Sequence, residues 1–178
     1  MPVQIGAKTH AFSEPTALLS DCHRRIEMFL GTLEKVGAHL ESPLDNDTRI
    51  ALESALRYFR DAAPKHTADE EESLFPRLRK STYPEANAAL KKLDMLEQDH
   101  RRADSLHAAV DVLGQRCLQQ GSLPAADADQ YRQAVSDLLS IYAEHIRIED
   151  HEVFPIAGQK LSEVDKAAIA AEMRERRK

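Results

Sequence analysis

A chain of 178 residues is long enough to enclose one sizeable core. Its charged share of 30% and hydrophobic share of 42% suit a soluble globule. A net charge of −6 removes any general electrostatic pull toward nucleic acid or an anionic membrane, so neither is expected as a partner. No segment approaches the roughly 20 apolar residues of a membrane span. The N-terminal MPVQIGAKTHAF lacks a basic region followed by an apolar run, and Cys22 and Cys117 alone make no disulfide framework. A reducing, cytoplasmic setting is the expectation.

Ala, Leu, Glu, Arg, Lys and Gln dominate, and these residues favour helix. The first predicted helix spans roughly 14–41, with Ser13 and Glu14-Pro15 as cap and first turn. Its stripe of Leu18, Leu19, Ile26, Phe29, Leu30, Leu33, Val36 and Leu40 has helical spacing. The second runs roughly 46–80, interrupted at Pro64, where a backbone hydrogen bond is missing. The third runs from Tyr83-Pro84 to Gly121, roughly 84–120, and the fourth roughly 124–155. A short fifth opens at Ser162-Glu163 and ends in the basic run RERRK. Four long amphipathic helices with short connections predict an all-α, up-down-up-down four-helix bundle, closed by the fifth helix. Residues 1–178 read as one domain with its core at roughly 14–157.

The chain repeats itself. HTADEEESLFP, from His66 to Pro76, and HIRIEDHEVFP, from His145 to Pro155, share His, three residues, Glu, four residues and Phe-Pro. The Phe-Pro pair reads as an apolar stop, with Phe75 and Phe154 packing the bundle end. DCHRR around His23 and DHRR around His100 form a second matched pair. Each predicted hairpin thus carries His-Arg-Arg on its first helix and His-xxx-Glu on its second.

Residues four apart lie on one helical face, so His66 points with Glu70, and His145 with Glu149. If those faces turn inward, two acids and two imidazoles meet in the core, and His23 and His100 approach from the other helices. Buried carboxylates demand compensating positive charge, which a metal supplies. The predicted metal ligands are therefore His23, His66, Glu70, His100, His145 and Glu149. This donor set is too nitrogen-rich for Ca²⁺ or Mg²⁺, and it lacks the thiolates of structural zinc. Fe, Mn, Zn and Cu all suit it. Six ligands exceed one tetrahedral ion but fit two metals bridged by Glu70 and Glu149. Two divalent cations carry more charge than two carboxylates cancel, which favours an oxo or hydroxo bridge or a small anionic ligand.

A lone His-xxx-Glu is usually a surface pair; here the repeat carries the argument. Glu71, Glu72 and Glu97 read as solvated. Asp99 and Asp104 are candidates to hold the outer nitrogen of a ligand histidine. His10, His39 and His151 read as non-ligands, and His107 as a satisfied core histidine. Both cysteines read as buried or inert thiols, and the arginine pairs 24–25 and 101–102 as solvated. No acid–base dyad or nucleophile stands out, so no catalytic residue is assigned.

The residues around His23 and the stretches AAPKHTADEEESLFP, LEQDHRR, YAEHIRIEDHEVFP and LSEVDKAAIAAEMRERR resemble the hemerythrin-like, or HHE cation-binding, family. The resemblance implies a four-helix bundle with two non-heme Fe ions that meets O₂, NO, peroxide or related small ligands. Family members include oxygen carriers, oxygen or iron sensors, and proteins that repair iron–sulfur centres. Oxygen carriers place a second histidine where this chain has Asp104. They also use His-xxxx-Asp on the last helix, which would select Asp150; the internal repeat favours Glu149. Binding or sensing is the leading expectation, with a redox partner possible. A di-iron peroxidase, oxidase or NO reductase, or an iron-supply or repair protein, is the alternative.

Overall fold

Helix α1, Pro15–Gly37, opens on Pro15, whose missing N–H is no loss in a first turn. Glu14 takes the cap position without a side-chain bond. The helix ends ahead of the predicted 41, and residues 38–41 continue as turns. Helix α2, Asn46–Asp61, is capped by Asp45, whose carboxylate accepts the Thr48 N–H at 2.7 Å. Pro64 interrupts this rod as predicted, and helix α3, Ala63–Ala68, resumes with the proline in its first turn.

The computed structural model describes residues 13–80 and 86–178. His10, the N-terminal MPVQIGAKTHAF and the predicted helix start at Tyr83-Pro84 lie outside the described residues. Helix α5, Ala86–Gln120, stops at Gly121, which takes φ 90° and donates its N–H to the Cys117 carbonyl at 2.8 Å.

Neither rod stops at Phe-Pro. A π-helical turn, Asp69–Leu74, joins α3 to helix α4, Phe75–Lys80. A second, Glu149–Val153, joins helix α6, Ala125–Ile148, to helix α7, Phe154–Lys160. The Phe75 N–H bonds the Glu70 carbonyl, and the Phe154 N–H bonds the Glu149 carbonyl, each five residues back. Pro76 and Pro155 lack the N–H an α-helix requires, and their rings would strike a carbonyl four residues back. The wider turn accommodates the ring, and the chain continues as a helix. The fourth rod therefore reaches Lys160, beyond the predicted 155.

The rods pack α1 on α2, α2 on α5, α5 on α6 and α6 on α1, an all-α antiparallel ring. Helix α8, Glu163–Glu175, is capped by Ser162, whose Oγ accepts the Asp165 N–H at 3.1 Å. It lies across the first π-turn and α1. Two apolar clusters fill the bundle. One holds Ile26, Leu33, Leu56, Phe59, Val110 and Tyr131. The other holds Leu19, Leu74, Phe75, Leu96, Phe154 and Met173. On α1, His23 falls between the two clusters, so a polar layer separates them. Among the described residues no helix is long and apolar enough to cross a membrane.

Candidate metal centre

That polar layer contains all six predicted ligands. His23 comes from α1, His66 from α3, Glu70 from the first π-turn, His100 from α5, His145 from α6 and Glu149 from the second π-turn. All six are buried, and both glutamates are 0% exposed. They form two overlapping groups: His23, His66, Glu70 and Glu149, and Glu70, His100, His145 and Glu149. The glutamates belong to both.

The donor atoms crowd one another without bonding. His66 Nε2 stands 3.1 Å from Glu70 Oε1, and His145 Nε2 stands 3.1 Å from Glu149 Oε2. His23 Nε2 lies 3.1 Å from Glu149 Oε2 and 3.7 Å from Glu70 Oε1, and His100 Nε2 lies 3.3 Å from Glu70 Oε2. Yet all carboxylate oxygens of Glu70 and Glu149 lack a hydrogen-bond partner among the described residues, as does His23 Nε2. Apart from the 3.7 Å approach, the distances suffice but the directions do not. Two atoms each about 2.1 Å from a shared ion and about 90° apart stand about 3 Å from one another. The observed spacing is that of ligands around cations, and the donor chemistry agrees. The buried cluster fits a metal site.

Electrostatics point the same way. Burial pushes the Glu70 carboxyl up, but the imidazoles of His66, His100 and His23 outweigh it and hold its pKa well below the usual range. Glu149 is also lowered: burial and Glu70 oppose its charge, and His145 and His23 prevail. Burial disfavours the charged form of His23, yet Asp150, Glu149 and Glu70 raise its pKa well above the ordinary value. His100, opposed by burial and favoured by Glu70, is raised to about 9. His66 is lowered to about 4, chiefly by burial.

Outer carboxylates orient two of the rings. His23 Nδ1–H donates to Asp150 Oδ1 at 2.9 Å, and the Ser20 hydroxyl donates to the same oxygen at 2.6 Å. His100 Nδ1–H donates to Glu71 Oε1 at 2.8 Å. Each bond leaves Nε2 free to face inward. His145 Nδ1 is 3.6 Å from Asp99 Oδ2, beyond hydrogen-bond reach. Phe154 stacks on His23 at 5.3 Å and Phe75 on His100 at 6.5 Å, so both cover the imidazoles besides packing the apolar cluster.

Several expectations change. Glu71 is not merely solvated, because its carboxylate holds His100. Asp104 is exposed, so it holds no ligand. Asp150 lies outside the inner cluster, behind His23, and Glu149 lies within it. A signal for this was present: Glu71 and Asp150 follow Glu70 and Glu149 in the same repeat position. Glu72 pairs with Arg176, and Glu97 with Arg79. His39 and His151 are exposed, and both cysteines are buried. His107 stacks on Phe59 at 4.3 Å, and its Nε2 meets the Tyr142 hydroxyl at 3.2 Å. Its Nδ1 has no partner among the described residues, so it is only half satisfied. Arg176 and Arg177 of the basic run fold back onto the first π-turn, which the sequence reading missed.

The hemerythrin HHE cation binding domain model matches residues 14–157. An uncharacterized protein of Haemophilus influenzae is 29% identical over 142 residues, covering 78% of this chain and 76% of that one.

Proposed function

Since this chain belongs to the hemerythrin HHE cation-binding family, we propose that it is a cytoplasmic, single-domain, non-heme di-iron protein that binds or senses O₂, NO or a related small ligand. One observation carries the reading: two four-residue donor groups share Glu70 and Glu149, which are buried and without hydrogen-bond partners among the described residues. Shared carboxylates suit two ions held side by side, and four imidazoles suit iron. His23 and His66 would hold one ion and His100 and His145 the other, with both glutamates common to the pair. Iron in that place supplies coordination positions and redox capacity for a diatomic or peroxide ligand.

The protein's own residues prepare the site. Asp150 and Glu71 keep His23 and His100 in the tautomer whose Nε2 faces inward. Phe154 and Phe75 stack over those rings and limit solvent access. The apolar clusters on either side keep the dielectric low, which strengthens attraction between the carboxylates and cations.

The test is metal analysis followed by rapid mixing. Reduced, anaerobic protein of measured iron content is mixed with O₂ or NO while its visible spectrum is followed. The expected result is two irons per chain and a reversible adduct. Sustained consumption in the presence of an electron donor would establish an enzyme, and iron transfer to an apo client an iron-supply protein. Protein that takes up no iron under these conditions would overturn the reading.

A further inference from the structure

The two π-turns are held in different ways. Glu149–Val153 is tied to the bundle itself: Asp150 to Ser20 and His23 of α1, and Glu152 to Lys92 of α5. Asp69–Leu74 is tied to the bundle through Glu71 and His100 of α5, and in addition to α8 and the residues after it, which lie beyond the matched residues 14–157. Asp69 is 0% exposed and holds two guanidiniums. Arg176 Nη1 donates to Asp69 Oδ1 at 2.9 Å and to Ser73 Oγ at 2.9 Å. Arg176 Nη2 reaches Glu72 Oε2 at 3.1 Å, and Arg177 Nη2 reaches Asp69 Oδ2 at 2.6 Å. Arg77, just past the turn, bonds the Ser73 carbonyl at 2.8 Å and grips Glu172 of α8 through two bonds of 2.8 and 3.0 Å. Arg177 also acts electrostatically on the Cys22 thiol, the residue before His23.

We infer that the end of α8 is a latch on the metal site: Arg176 and Arg177, closed on Asp69, position Glu70 and control how fast the centre exchanges its metal with solution. The inference rests on the metal-centre reading above. A π-turn departs from the regular α ladder, so side-chain ties carry more of its rigidity. Asp69 cannot shift without leaving a buried charge unpaired. Glu70, the next residue, is common to both donor groups, so movement of this turn loosens both ions together.

The experiment follows metal loss from the loaded full-length protein to an excess of chelator. Arg176→Ala with Arg177→Ala should release metal about 10- to 100-fold faster than the parent. Helicity and the parent's metal content before chelation should be retained. Arg176→Lys with Arg177→Lys keeps the charge but loses the planar fork, so it should restore only part of the slow release. Asp69→Asn opens the latch from the other side and should also speed release, which decides the matter if the double alanine variant does not fold. The ferric spectrum should shift in the alanine variant and move back in the lysine variant, a change that loss of stability alone would not produce. A folded variant that releases metal at the parent's rate would overturn the latch and leave the metal centre standing. A parent chain that binds no metal would overturn the metal centre first.

Discussion

The Asp150 carboxylate takes the Nδ1 hydrogen of His23 at 2.9 Å, linking the last rod of the bundle to the first. Glu71 does the same for His100, linking the second rod to the third, at 2.8 Å. The pairs are related by the internal repeat. Each orients an imidazole without belonging to either inner donor group. Asp150→Ala and Glu71→Ala should therefore each weaken metal binding about 10- to 100-fold while two metals still bind at saturation. Competition with a chelator of known affinity checks this. An unchanged affinity in both would mean that the outer carboxylates do not tune the site.

Removing the shared acids should be far more severe. Glu70→Ala with Glu149→Ala takes a donor pair from both groups at once. Stoichiometric metal binding should disappear while far-ultraviolet circular dichroism stays helical, because the apolar clusters on either side remain. Two irons retained per chain would show that these carboxylates hold neither ion.

Metal should also stabilise the fold, since the cluster exists only when the rods are assembled. At free metal of about 100 times Kd, the gain is about 2.7 kcal/mol. For a chain of this size that corresponds to a rise of about 5–10 °C in Tm. Thermal unfolding of loaded and chelator-treated protein measures it; coincident curves would contradict the coupling.

His107 makes an acid-sensitive contribution that does not involve the proposed ligands. Burial lowers its pKa from 6.5 to about 4, so the folded protein keeps it neutral where the unfolded chain protonates it. Between those values unfolding takes up a proton, and stability falls as pH falls; below about pH 4 both states are protonated and the loss levels off. Its share of the loss is on the order of 3 kcal/mol. Metal-free His107→Leu should lose less stability than the metal-free parent between neutral pH and pH 4 by denaturant titration. Parallel pH profiles would show that His107 already carries its charge in the folded state.

The sequence alone determined the helical rods, the break at Pro64, the stop at Gly121 and the six residues that converge. Each depends on neighbours along the chain: spacing of four puts His66 with Glu70 on one face, and a missing N–H interrupts a ladder wherever it occurs. Only the tertiary structure decided that Phe-Pro widens a turn instead of ending a helix, because that depends on whether packing carries the rod onward. It also decided that Asp150 serves His23, that Glu71 serves His100, and that Arg176 and Arg177 close on Asp69. Those pairings join residues far apart in sequence, so no local periodicity encodes them; the rotation of each rod about its axis, set by two π-turns and the apolar clusters, brings them together.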